Sequence, residues 1–315
     1  MKSVASAPAK VILFGEHFIV YGGKAILCAI DKRITVESEI VNSDTIQIDS
    51  DLGSITVSKS EPVDKVDAKF RSVIFIAQKM LKQFNSKSGL KISIRSEIPA
   101  GVGLGSSSAC CVASAGSIAG LFTRYSKQEI LNLALEGERT VFERASGADT
   151  ASCTFGGIVE YTKQGTKNLD LSPKFQLIIA NSKIVHSTSD VVARVKQFKE
   201  SKSDEFAILC DNESALIEEV LDALEKNNSK EIGEKMTVNQ AHLQKIGVSN
   251  KTLDLMVQSV KDVSYGAKLT GAGDGGCIIA LVDESNMKGT LNALSEHECF
   301  VTKIDTVGVE QKLVN

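Results

Sequence analysis

The sequence predicts an α+β protein of two domains. A chain of 315 residues is long enough for two domains that each bury a core. Glycine-rich loops occur in both halves, at 101–105 and 271–276, and a polar stretch over 162–174 separates two patterns of mixed strands and helices. We therefore expect residues 1–172 and 173–315 to form the domains, with a cleft between their glycine loops.

Periodicity predicts the elements in each half. Alternation of apolar and polar residues, or a short apolar run, predicts strands over the apolar run after Lys10 and over 32–41, 44–49, 52–58, 90–95, 158–161, 175–180, 266–269, 277–282 and 299–305. A spacing of three to four residues between apolar side chains predicts helices over 64–84, 189–199, 204–226, 229–245, 250–261 and 286–297. Small residues predict a helix over 109–121, and a capping box at Ser126 and Glu129 opens the next helix.

Composition excludes several classes of protein. Apolar residues make up 43% of the chain, charged residues 24%, and the net charge of −3 favours neither nucleic acid nor an anionic membrane as a partner. Residues 102–122 carry no charge, but their serines and glycines argue against a membrane span. The seven cysteines lack metal-ligand spacing, and the start of the sequence lacks the apolar core of a signal peptide, so we expect a cytoplasmic protein with reduced cysteines.

The first glycine loop lies between a predicted strand and a predicted helix. Glycines allow positive φ, and a helix N-terminus presents unpaired N–H groups to an anion, so this arrangement favours phosphate binding. An ordinary turn before a helix is the alternative. The loop is neither a Walker A motif nor a dinucleotide fingerprint. The candidate phosphate-binding residues are Pro99, Ala100, Gly101, Val102, Gly103, Leu104, Gly105, Ser106, Ser107 and Ser108.

Four further positions could carry chemistry. Lys10 lies between a proline turn and an apolar strand, and Gly15 is followed by Glu16 and His17. Glu138 lies beside the apolar stripe of a helix, and Asp149 is the single acid in a segment of small residues. Each has a structural alternative: a surface lysine, a hydrogen-bonded loop pair, a solvated helix residue and a helix N-cap.

Together these motifs resemble the GHMP kinase family, named for galactokinase, homoserine kinase, mevalonate kinase and phosphomevalonate kinase. The similar segments are Ala7-Pro-Ala-Lys-Val-Ile-Leu-Phe-Gly-Glu-His-Phe-Ile-Val-Tyr-Gly, the loop from Pro99 to Ser108, and Lys268-Leu-Thr-Gly-Ala-Gly-Asp-Gly-Gly-Cys. Three motifs in this order are far more specific than any one of them. The resemblance implies an N-terminal domain like ribosomal protein S5 domain 2 and a ferredoxin-like C-terminal domain.

The resemblance also implies an activity, ATP-dependent phosphorylation of a small alcohol with Mg²⁺. The first motif has the form found in members that phosphorylate mevalonate to 5-phosphomevalonate, a step of isoprenoid biosynthesis. Asp149 matches the catalytic acid, Lys10 its partner, and Ser107 and Glu138 the Mg²⁺ ligands. The phosphate-binding residues then include Gly271, Ala272 and Gly273, and the acceptor-binding residues are Glu16, His17, His186, Ser187 and Thr188. No nucleic-acid or membrane partner is implied, and a homodimer is left open.

The sequence departs from the family pattern at three places. Asp274 replaces a glycine of the third motif, His186 stands where animal members carry an arginine, and the residues just before Asp149 differ. Other GHMP kinases, a diphosphomevalonate decarboxylase and a sensor that binds ligand without catalysis remain alternatives. Against the sensor, Lys10, Ser107, Glu138 and Asp149 are all present.

Overall fold

Two β-sheets with helices packed on them form the protein in this computed structural model, which describes residues 1–99, 102–143, 145–185 and 187–314. The strands are β1 (Lys2–Phe14), β2 (Ala25–Val41), β3 (Thr45–Ser50), β4 (Gly53–Ser58), β5 (Gly89–Ser96), β6 (Ile158–Thr162), β7 (Gly165–Leu169), β8 (Gln176–Asn181), β9 (Gly266–Thr270), β10 (Cys277–Val282), β11 (Glu298–Thr302) and β12 (Glu310–Val314). The α-helices are α1 (Ala68–Gln83), α2 (Ser106–Gly120), α3 (Lys127–Arg139), α4 (Ala148–Phe155), α5 (Thr188–Ser201), α6 (Ser203–Glu225), α7 (Ser229–Lys245), α8 (Lys251–Ser259) and α9 (Met287–Ala293).

The sheets have different sizes and orders. The first runs β12-β1-β2-β5-β3-β4, with β6 beside β2 and β7 beside β6, and the second runs β11-β8-β10-β9. Their strand pairs are antiparallel except for the parallel pair β3–β5. The α+β class predicted from the sequence is therefore confirmed.

Helix α2 consists of small residues because it packs very closely on β1. A Cβ atom built on Gly116 would lie 3.0 Å from Cβ of Ala5, and one built on Gly120 would lie 2.2 Å from Oγ of Ser3. Ala5, Ala7 and Ala9 on this face of β1 are fully buried. The uncharged stretch is thus a core helix, and its N-terminus is held directly above the middle of β1.

The hydrophobic core continues from one sheet to the other. Leu177, Ile179 and Leu281 of the second sheet belong to the same buried cluster as the apolar residues of β1 and β2. The opposite face of the second sheet packs beneath α8. No helix in the described ranges is long and apolar enough to cross a membrane.

Two stretches differ from the sequence-based prediction. The polar stretch 162–174, expected to be a linker, contains β7, which pairs with β6. The end of the chain, expected within the second domain, returns to the first sheet, where β12 pairs with β1 from Lys2 opposite Val314 to Ser6 opposite Glu310. The exposed, polar sequence of β12 gave no apolar pattern to reveal this pairing.

The returning segment is held by a mostly buried ion pair. The Arg33 guanidinium contacts the carboxylate of Asp305, whose other oxygen accepts the backbone N–H groups of Val307 and Gly308 at 2.9 and 2.8 Å. Arg33 also donates to the backbone oxygen of Gly308 at 2.7 Å. These bonds fix the turn that leads into β12.

We predict that Asp305→Ala lowers the free energy of unfolding by about 3 kcal/mol, because it leaves the Arg33 charge and two N–H groups without their acceptor. Urea titration followed by circular dichroism measures the change. Glu310→Gln is the matched control: Glu310 is half exposed and lies 3.5 Å from Arg33, so its loss should cost less than about 1 kcal/mol. Equal losses in the two variants would contradict the assignment.

Candidate active site

The first glycine loop connects β5 to α2 and crosses over β1. Gly103 and Gly105 have φ of 77° and 74°, a region that glycine tolerates best, and Val102 and Leu104 anchor the loop with buried side chains. The backbone oxygen of Leu104 accepts the N–H of Lys10 at 3.0 Å. Helix α2 begins at Ser106 without a side-chain cap, so its first N–H groups are available to an anion. Ala100 and Gly101 lie outside the described residues.

Lys10 and Asp149 lie together beneath this loop. Nζ of Lys10 is 3.0 Å from Oδ2 of Asp149, and the lysine side chain is 4% exposed whereas the carboxylate is 40% exposed. Asp149 lies in the first turn of α4, whose N-cap is Gly147 with φ 87°. A buried cation therefore holds an acid that faces solvent. The alternative of a surface lysine does not apply.

Glu138 is buried rather than solvated. Its two carboxylate oxygens accept hydroxyl hydrogen bonds from Ser108 and Thr150, each at 2.5 Å. Ser107, the predicted metal-ligand partner of Glu138, is exposed and lines a cavity instead. The sequence analysis missed Thr150, although its position directly after Asp149 on a helix of small residues was an available signal.

The second glycine loop faces the first. A Cβ atom built on Gly271 would lie 4.0 Å from the backbone oxygen of Gly103, which is its nearest neighbour. Gly273 has φ 83°, and a Cβ there would lie 2.1 Å from the backbone oxygen of Val248. Only glycine fits this position. The two predicted phosphate-binding segments, from different halves of the chain, thus lie next to each other.

Asp274, the departure in the third motif, has its charge paired. Its carboxylate accepts the guanidinium of Arg194 on α5 at 2.8 Å, and its backbone N–H donates to Val248 at 2.7 Å. Its φ of 59° is one that aspartate tolerates better than most residues. The acid therefore ties the glycine loop to α5 instead of facing a polyphosphate unpaired.

The predicted acceptor-binding residues differ in their surroundings. Glu16 is 1% exposed and paired with Lys268. The Glu16 side chain therefore has no open surface for the substrate contact that the sequence predicted. Ser187 caps α5 by accepting the N–H of Asp190 at 3.4 Å, and Thr188 is the exposed first residue of that helix. His186 lies outside the described residues.

His17 bridges the two halves of the chain. Its Nε2 is 2.8 Å from the backbone oxygen of Ala272, and burial lowers the pKa of the imidazole, with a smaller contribution from Lys268. A neutral ring that donates from Nε2 has only an acceptor at Nδ1. A charged imidazole is therefore disfavoured at this position.

A cavity of about 660 Å³ opens beside the first loop. Its walls are mainly apolar, and Ser106 and Ser107 lie at its edge. The main apolar wall residues are Leu52, Phe70, Val73, Ile98, Val141 and Phe142. Sequence reasoning did not identify this cavity because its walls come from separate segments of the chain that only the fold brings together.

Comparison with known proteins agrees with this arrangement. The family description "GHMP kinases N terminal domain" matches residues 71–157, and "GHMP kinases C terminal" matches residues 220–298. The chain is also 33% identical to the mevalonate kinase of Pyrococcus furiosus, with 98% of each protein covered. The chain belongs to the GHMP kinase family.

Solved structures of GHMP kinases have the same fold. The mevalonate kinase of Methanococcus jannaschii superposes with a TM-score of 0.85 at 29% identity, covering 96% of this chain and 98% of the other. The L. major mevalonate kinase in complex with R-mevalonate has a TM-score of 0.81 at 26% identity, with 96% of each chain covered. The two-domain GHMP kinase architecture expected from the sequence is confirmed.

We predict that Gly105→Ala lowers kcat/KM more than Gly103→Ala does. Both glycines have positive φ, so both substitutions strain the backbone. A Cβ on Gly105 would lie 2.8 Å from Cγ of Lys10, whereas a Cβ on Gly103 would have no described atom within 4 Å. Displacing Lys10 should cost an additional factor of about 10 to 100. Steady-state kinetics of the two variants measure the difference, and equal losses would show that Lys10 is not displaced.

Proposed function

We propose that this protein transfers the γ-phosphoryl group of ATP to the primary hydroxyl of mevalonate, giving 5-phosphomevalonate in the mevalonate pathway. The observation that carries the proposal is the Lys10–Asp149 pair, with an exposed acid on a buried lysine, beneath a glycine loop that faces a second glycine loop. Relatives that share about a third of their residues over nearly the whole chain are mevalonate kinases. One solved relative holds R-mevalonate.

We expect two regions of the site to bind ATP, one for its phosphates and one for its base. The N-terminus of α2 and the loop residues before it offer backbone N–H groups to the phosphates. The adjoining apolar cavity of about 660 Å³ can bury the flat base. A nucleotide that bridges cavity and loop would therefore direct its terminal phosphate toward Asp149.

The chemistry then needs little covalent work from the protein. The acceptor oxygen attacks the γ-phosphorus, the bond from that phosphorus to the bridging oxygen breaks, and ADP leaves with the electron pair. The hydroxyl proton passes to Asp149 or, through it, to solvent. Lys10 holds one carboxylate oxygen at 3.0 Å, so the other oxygen orients the hydroxyl for attack.

Mg²⁺ suits the oxygen atoms around Glu138. Within the described ranges no cluster of three or more His, Cys, Asp or Glu side chains could hold a metal, but Mg²⁺ in phosphoryl-transfer sites needs one or two carboxylates besides water and phosphate. The Glu138 carboxylate and the hydroxyl of Ser107 would hold it. When bound, it neutralises charge on the phosphates.

Turnover assays test the substrate. ADP release should be fast with mevalonate and near background with phosphomevalonate, galactose and homoserine, and no CO₂ should form with diphosphomevalonate. Turnover of a different alcohol would contradict mevalonate as the substrate, while the proposed kinase activity would still hold. ATP binding without any turnover would favour the sensor. The cytoplasmic location stays a prediction, and a homodimer stays possible.

We predict that Asp149→Asn lowers kcat by about 100-fold or more and changes either KM far less, because the acid acts on the hydroxyl mainly in the transition state. The matched control is Asp204→Asn, which alters an exposed acid in the first turn of α6 and should leave kcat unchanged. An Asp149→Asn enzyme that keeps most of its kcat would make Asp149 a structural partner of Lys10 and not a catalytic residue.

We predict that Ser107→Ala and Glu138→Gln each raise the Mg²⁺ concentration for half-maximal activity by about tenfold, with a non-additive double variant, because both act through one ion. Ser108→Ala distinguishes the neighbouring hydroxyl, which contacts Glu138 directly. Additive losses at unchanged Mg²⁺ dependence would assign both residues structural roles. If only Ser108→Ala raised the Mg²⁺ concentration for half-maximal activity, Ser108 would be the metal ligand in place of Ser107.

A further inference from the structure

A buried polar cluster lies between the two halves of the chain. Its centre is the ion pair between Glu16 and Lys268, whose side chains are 1% and 0% exposed. Lys268 also donates to the backbone oxygen of Leu269 at 2.6 Å. Nearby, the buried Glu213 of α6 accepts hydrogen bonds from Asn239 at 2.6 Å and from His242 at 2.7 Å.

Stability does not account for this ion pair. Burial raises the pKa of Glu16 and lowers the pKa of Lys268, and their attraction opposes both shifts. Among the described residues, the second carboxylate oxygen of Glu16 is buried without a hydrogen-bond partner. Replacing a buried ion pair by apolar residues of similar size is often neutral or stabilising, so the role of this pair lies in geometry.

The pair is one of three links between the same two segments. On one side of Glu16 in the first segment, the hydroxyl of Thr270 accepts the N–H of Ile12 at 3.1 Å and donates to the backbone oxygen of Ile12 at 2.9 Å. On the other side, His17 contacts the backbone oxygen of Ala272 at 2.8 Å. One segment begins with Lys10, and the other leads into the second glycine loop.

We propose that Glu16 and Lys268 are positioning residues that fix the register of segment 10–17 against segment 268–273. This register sets the distance between the Lys10–Asp149 pair and the phosphate-binding loops, so the inference rests on the proposed function. An ion pair suits the task because, in dry surroundings, it is satisfied in one arrangement, whereas apolar contacts tolerate sliding. Glu16 acts on the reaction through this register, without touching substrate.

The decisive variant is the double substitution Glu16→Met with Lys268→Met. It removes both charges and keeps two long side chains, so the melting temperature should stay within a few degrees of the wild-type value. The kcat at saturating ATP and mevalonate should nevertheless fall at least tenfold. Amide hydrogen exchange without ligands should become faster over 268–276. Because exchange needs no substrate, it tests the register even if mevalonate is not the acceptor.

The control is Lys24→Met, which breaks another connection between the halves. Lys24 contacts Glu160 of β6 at 2.9 Å and Glu218 of α6 at 2.7 Å, but it is partly exposed. Its loss should leave kcat and exchange over 268–276 unchanged. Wild-type kcat and exchange in a stable double variant would overturn the proposal.

Two single variants complete the test. Glu16→Asp keeps the charges but shortens the side chain, so kcat should fall although the protein folds, and this decides the matter if the double variant does not fold. Wild-type kcat in Glu16→Asp would overturn the proposal. Glu16→Gln that raises only the KM for mevalonate, with unchanged kcat and exchange, would make Glu16 a substrate contact instead.

Discussion

The close packing of α2 on β1 is the constraint on which the active site depends. Small residues on both elements let the helix approach the strand so closely that added Cβ atoms would collide. This approach brings the loop at the start of α2 over Lys10, where the lysine chain lies directly beneath Gly105. A larger residue in the contact would lift the loop and separate the N–H groups at the start of α2 from the Lys10–Asp149 pair.

The charges of the site are ordered by burial. Lys10 and Glu138 are buried, and each is paired with a partner from another element, Asp149 for the lysine and the hydroxyls of Ser108 and Thr150 for the glutamate. Asp149 is the member that stays open to solvent. Fixed groups beneath one accessible acid suit a reaction that depends on positioning more than on covalent chemistry.

Contacts between the two halves of the chain also help to position the site. The returning strand β12, held by Arg33 and Asp305, and the buried pair of Glu16 and Lys268 both join segments that are distant in sequence. Asp274 and Arg194 likewise connect the second glycine loop to α5. The second glycine loop is therefore held by contacts to both halves of the chain.

Local pattern determined much of this protein. Periodicity gave most strands and helices within a few residues, because backbone preferences and turn chemistry act over a few residues. The resemblance to a family singled out Lys10, Glu138 and Asp149, whose roles stay predictions. Tertiary structure alone decided the rest. It buried Glu16 against Lys268, gave Glu138 the hydroxyl of Ser108 instead of Ser107, returned β12 to β1 and assembled the apolar cavity. Each of these depends on residues far apart in sequence, whose contacts leave no periodic signal in the chain.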